Sequence, residues 1–123
     1  MLLENFYTLE SNSLLDDNVV KSTMILNNDH QVFDGHFPNN PVTPGVCMMQ
    51  IIKEIVEHTL QLELQLFKVS NVKFTALINP NVNKELQLET VIIKELNSIR
   101  IKNISKFTNG TIALKYNATF NIK

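Results

Sequence analysis

The run from Val46 to Leu60 constrains this chain more than any other segment. Val46, Met49, Ile52 and Val56 recur at helical spacing, with Met48, Ile51 and Ile55 beside them. Gln50, Lys53, Glu54, Glu57 and Gln61 form a second, narrower stripe. A helix so broadly apolar must be covered on most of its sides. The segments around it are strand-like, so a sheet has to do the covering. Thr43 reads as the N-cap and Pro44 as the first helical residue.

The rest of the chain supplies that sheet. Val19–Leu26 is rich in β-branched residues within weaker strand signals over 5–26, and it ends at the turn signal Asn27-Asn28-Asp29. Residues 65–78 are apolar but broken, and Pro80-Asn81 marks a turn. Leu86, Leu88, Thr90 and Ile92 alternate along 85–96, Asn97-Ser98 offers a turn, and 99–107 reads as the next strand. Thr108-Asn109-Gly110 closes a hairpin. From Thr111 to Ile122 apolar and polar residues alternate almost strictly, the pattern of a half-buried strand. Short strands, one long helix, then an antiparallel meander make an α+β fold: one curved sheet over one helix.

Composition excludes several classes of function. With 123 residues, 44 % hydrophobic and 19 % charged, the expectation is one globular domain spanning 1–123. A net charge of −1 with no basic face argues against nucleic-acid binding. No apolar run is long enough for a membrane span. The N-terminus lacks a basic region followed by an apolar core, and the lone Cys47 permits no internal disulfide, so a cytoplasmic protein is expected. His30 and His58 lack companions at ligand spacing, so neither metal nor cofactor is expected and both read as surface or structural. Cys47 reads as a core residue.

Between the first strands and the helix lies Asp34-Gly35-His36-Phe37-Pro38-Asn39-Asn40-Pro41-Val42-Thr43-Pro44-Gly45-Val46. Two of the chain's three glycines and three of its four prolines fall here. Such a stiff loop presenting one histidine fits an active site, and it also fits a plain crossover from strand to helix.

His36-Phe37-Pro38, Pro41 and Pro44-Gly45-Val46 resemble the signature of the β-hydroxyacyl-[acyl-carrier-protein] dehydratases. The likeness is strong over 33–50 and looser over 65–122, and the first thirty residues add little. It implies the hot-dog fold, a long central helix wrapped by a curved antiparallel sheet. It implies a lyase of fatty acid biosynthesis or related lipid metabolism, acting on 3-hydroxyacyl thioesters of acyl carrier protein or coenzyme A. His36 would be the base, since imidazole titrates near neutrality. The N–H groups of Gly45 and Val46, at the helix's positive end, would hold the thioester oxygen. Pro44 and Phe37 would border the substrate. Phe33 and Phe37 serve equally well as packing residues, and Gly45 as a close helix-to-strand contact. The resemblance also implies a homodimer, or a higher oligomer of dimers, whose sites take residues from both chains.

The chain departs from the family in telling places. The helix acid is replaced by Gln50, and Glu54 stands one turn on, where relatives often carry Gln. An amide can orient a hydroxyl but cannot give or take a proton. Glu54 is thus either a displaced acid, reaching the site through Gln50 or a water, or a solvated or interface carboxylate. Thr75, Ala76 and Leu77 stand where basic contacts to a carrier protein are common, and Asn39 where glycine is. Two alternatives to the dehydratase remain: an acyl thioesterase using water placed by Gln50 or Glu54, and a non-catalytic acyl-binding subunit completed by a heteromeric dehydratase partner.

Overall fold

The structure, a computed structural model, describes residues 4–35 and 41–123. Strands β1 (Tyr7–Leu14) and β2 (Val19–Leu26) precede a 3-10 turn at Gln31–Gly35 and the helix α1 (Gly45–Leu60). β3 (Leu64–Phe74), β4 (Glu85–Lys94), β5 (Ser98–Phe107) and β6 (Ile112–Ile122) follow. All six strands form one sheet in the order β1-β2-β4-β5-β6-β3, every pair antiparallel. This is the α+β arrangement expected from the pattern, and the hot-dog architecture that the resemblance implies.

Period-two alternation decides which face of each strand is buried. Val20, Met24 and Leu26 of β2 are buried, as are Leu86, Leu88, Thr90 and Ile92 of β4. Ile99 and Ile101 of β5 join Leu114, Tyr116, Ala118 and Phe120 of β6. They share one core with Met48, Ile51, Ile52, Ile55 and Val56 of α1. Polar residues on this face are paired, as burial requires. Asn103 Nδ2 donates to Thr90 Oγ1 at 2.9 Å, and Ser105 Oγ donates to Asn103 Oδ1 at 2.8 Å. The hairpin at Asn109-Gly110 forms as expected, with Gly110 at φ +90, a conformation that favours glycine.

The helix starts one residue later than the sequence predicts. Pro44 is the N-cap, extended at φ −60 and ψ 140, and no side chain caps the helix. Thr43 is instead drawn into the sheet's margin: its N–H donates to Ile78 O at 2.8 Å and its side chain is buried. Val46 is not core either. It is 72 % exposed, because the helical turn carries Met48, Ile51 and Ile52 toward the sheet and Val46 away from it.

The two edges of the sheet differ. β1 closes against the helix by side-chain bonds: Asn12 Nδ2 donates to Thr59 Oγ1 at 2.9 Å, and Ser22 Oγ to Asn12 Oδ1 at 2.7 Å. β3 pairs only with β6 among the described residues, and past Leu64 it is exposed along its whole length. Two register shifts against β6, at Leu66/Lys68 and Val69/Asn71, break its alternation. Leu66, Phe67, Val69, Val72 and Phe74 are therefore left in solvent.

Candidate active site

His36 and Phe37 lie outside the described residues, as do Pro38 and Asn39. The chain enters this stretch from the 3-10 turn and leaves it through the extended segment 41–44, in which Pro41 is buried. At its exit stand Pro44, Gly45 and Val46. The first helical N–H groups with acceptors are those of Cys47 and Met48, both bonded to Pro44 O. Those of Gly45 and Val46 precede the first intrahelical bonds and point out of the positive end of α1.

Gly45 is glycine for a steric reason. A Cβ there would lie 2.9 Å from Cε2 and 3.0 Å from Cζ of Phe74. The ring of β3 thus rests on the helix N-terminus. This is the close helix-to-strand contact expected from the sequence, and it leaves the Gly45 N–H unobstructed by a side chain of its own.

One turn along the helix, Gln50 and Glu54 meet. Gln50 Nε2 donates to Glu54 Oε2 at 2.9 Å. The other carboxylate oxygen is taken as well, since Tyr7 Oη donates to Glu54 Oε1 at 2.9 Å. Glu54 is therefore held between an amide and a phenol. A carboxylate only accepts, so Gln50 must turn its NH₂ toward it. Among the described residues the amide carbonyl and the second N–H of Gln50 have no hydrogen-bond partner.

Tyr7 is the member that the sequence did not single out. Nothing local marks it, because β1 carries a weak strand pattern and its partner lies far away in sequence. Burial, then the hydrogen bond to Glu54 and its charge, push the Tyr7 phenol above the ordinary tyrosine range. Burial also raises the Tyr116 phenol and the buried Cys47 thiol. A buried Cys47 of raised pKa fits a core residue.

Gln50 stands between two hollows. A cavity of about 240 Å³ is walled by Val46, Met49, Leu66, Tyr116 and Phe120, with Gln50 and Lys53 beside them. A wider, open hollow of about 670 Å³ runs along the polar stripe of α1 past Glu54, Glu57 and His58. The first is lined mainly by apolar side chains. His30 is held structurally: Val32 N–H donates to its Nδ1 at 3.0 Å, which leaves Nε2 to donate to Glu4 O at 3.0 Å. Among the described residues no group of His, Cys, Asp or Glu is arranged to hold a metal. No helix among them is long and apolar enough to cross a membrane.

Residues 11–111 match the family model described as ApeI-like, ApeI dehydratase. The 3-hydroxyacyl-[acyl-carrier-protein] dehydratase FabZ of Clostridium acetobutylicum is 30 % identical over 102 residues, 76 % of this chain and 70 % of the relative. FabZ of Ligilactobacillus salivarius is 29 % identical over 112 residues, 85 % of this chain and 76 % of the relative. Among solved structures, the dehydratase heterocomplex ApeI:P from Xenorhabdus doucetiae superposes with a TM-score of 0.76 at 17 % identity, over 93 % of this chain and 96 % of that one. A hypothetical thioesterase with coenzyme A from Streptococcus pneumoniae gives 0.66 at 13 % identity, over 95 % and 85 %. At such identities these two likenesses speak for the fold alone, and the fold carries both chemistries.

Proposed function

The chain belongs to the ApeI-like dehydratase family, and we propose that it removes water from 3-hydroxyacyl thioesters to give 2-enoyl thioesters. In this reading His36 takes a proton from C2, the electron pair becomes the C2–C3 double bond, and the C3–O bond breaks. The hydroxyl leaves as water with the proton that His36 returns. The N–H groups of Gly45 and Val46 hold the carbonyl oxygen as it gains charge. Pro44 and Phe37 border the substrate. Gln50 stands at the family's acid position and orients the hydroxyl without supplying a proton. Glu54 is not the acid but the group that holds Gln50.

The observation that carries this reading is the Gln50–Glu54 hydrogen bond on the helix of a dehydratase-family chain. It gives the amide one orientation beside a largely apolar cavity of about 240 Å³. The substrate is a thioester of acyl carrier protein or coenzyme A. The chain works as one hot-dog domain without a cofactor, in the reducing cytoplasm, where Cys47 stays a thiol. Its partner is a second copy of itself. Leu66, Phe67, Val69, Val72 and Phe74 make β3 a long apolar edge of the kind that templates pairing. The heteromeric assembly of the Xenorhabdus protein makes a different dehydratase-family chain the alternative partner.

The test is product analysis with 3-hydroxyacyl thioesters on each carrier. Enoyl thioester supports the dehydratase. Free acid and thiol would make the chain a thioesterase, and no turnover by any oligomer would make it an acyl-binding subunit.

A further inference from the structure

We infer that Tyr7 is a positioning residue of the site, acting through Glu54 to fix the amide of Gln50. The inference rests on the dehydratase reading for its kinetic consequence, though not for its geometry. Tyr7 sits on β1, paired in register with Leu26 of β2, at the edge of the sheet remote from β3. Its phenol reaches across to α1 and donates to Glu54 Oε1 at 2.9 Å. The same strand is tied to the helix a second time, by Asn12 Nδ2 to Thr59 Oγ1 at 2.9 Å. These two bonds hold β1 along α1 and set the phenol where it stands.

The consequence follows from the donor and acceptor inventory. A phenol bound to one carboxylate oxygen fixes the plane of Glu54 and leaves Oε2 to Gln50, which donates from Nε2 at 2.9 Å. Neither partner can be reversed, since an ionised carboxylate accepts only. The raised pKa of the phenol keeps Tyr7 a donor through the physiological range. Gln50 is thereby left with its carbonyl turned away from Glu54, able to accept from a hydroxyl placed beside it. Without the Tyr7 hydroxyl, Glu54 Oε1 loses its donor among the described residues, the Glu54 side chain is free to swing out of reach of Gln50, and the released amide samples both orientations. Tyr7 touches no substrate in this scheme.

The test uses the full chain in two parallel measurements. The first is the side-chain amide resonance pair of Gln50 in ¹⁵N-labelled protein, assigned by its loss in Gln50→Ala. Tyr7→Phe, which removes only the hydroxyl, should move both resonances toward the values of a free glutamine, and Glu54→Ala should do the same. The second is steady-state kinetics on a 3-hydroxyacyl thioester. Tyr7→Phe should lower kcat about tenfold with KM unchanged, the size of one charge-assisted hydrogen bond. Added to Glu54→Ala, it should lower kcat no further. Unmoved Gln50 resonances in folded Tyr7→Phe would overturn the inference whatever the kinetics. Should Tyr7→Phe not fold, unmoved resonances in Glu54→Ala would overturn it equally. Moved resonances in a chain without dehydratase turnover would uphold the positioning and refute the reaction.

Discussion

At the scale of single residues, the proposed chemistry turns on Gln50 and Glu54, one helical turn apart and joined by a hydrogen bond. Gln50 and Glu54 share a helix face, so their positions can be swapped without disturbing the core. We expect the double variant Gln50→Glu with Glu54→Gln to raise kcat by about tenfold or more, since a positioned acid is worth 10² or above. The same hydrogen bond survives with its donor on residue 54. Gln50→Glu alone should help less, because two carboxylates in contact repel and raise each other's pKa. Equal kcat for wild type and double variant, measured as enoyl thioester formed, would count against an orienting role for Gln50. The Gly45–Phe74 contact gives a second expectation. Gly45→Ala drives a Cβ into the ring of Phe74 and should cost about 1–3 kcal/mol as overpacking, read from the denaturant midpoint. Tyr7 and Tyr116 are the only tyrosines, and the pKa of each is raised in the fold. The unfolded chain therefore releases those protons first. Stability should be intact below the ordinary tyrosine range and fall as pH climbs above it. Tyrosinate absorbance at about pH 10, where a free tyrosine is half ionised, should be lower in the folded protein than in the unfolded chain.

At the scale of elements, how much could be read from the chain depended on how local the cause was. The alternation of Leu86, Leu88, Thr90 and Ile92 gave β4 its buried face, because one sheet with one core needs nothing else. Asn109-Gly110 marked the last hairpin because positive φ is a property of the residue itself. β3 was harder: its register shifts break the two-residue period, so its exposure could not be foreseen from hydropathy. Thr43 looked like a cap but was claimed by the non-local bond to Ile78 O. Tyr7 was missed for the same reason, since its meaning lies in Glu54. The close contact at Gly45 was legible in the sequence, whereas His36 falls outside the described residues. The polar bridge across β4 and β5 is a further non-local element. Asn103→Leu removes the partner of both Thr90 and Ser105 within the core and should destabilise by about 1–3 kcal/mol, the cost of a buried group left unpaired. Thermal unfolding followed by circular dichroism measures it.

At the scale of the whole molecule, the two sheet edges have opposite fates. β1 is tied down on the helix, and β3 offers Phe67 and Val72 to a neighbour. Phe67→Lys with Val72→Lys should yield a folded monomer by light scattering at micromolar concentration, where the wild type should be a dimer or larger; edge lysines block strand pairing. A wild type that is itself a stable monomer would refute the proposed self-assembly. The central claim is that this assembly dehydrates 3-hydroxyacyl thioesters with His36 as the base. It is tested most directly by incubating wild type and His36→Ala with a short 3-hydroxyacyl thioester and separating the products. The account predicts 2-enoyl thioester from the wild type and about 10²–10⁴-fold less from folded His36→Ala, the usual worth of a positioned acid–base group. Free acid with released thiol, or equal enoyl formation by both proteins, would contradict it.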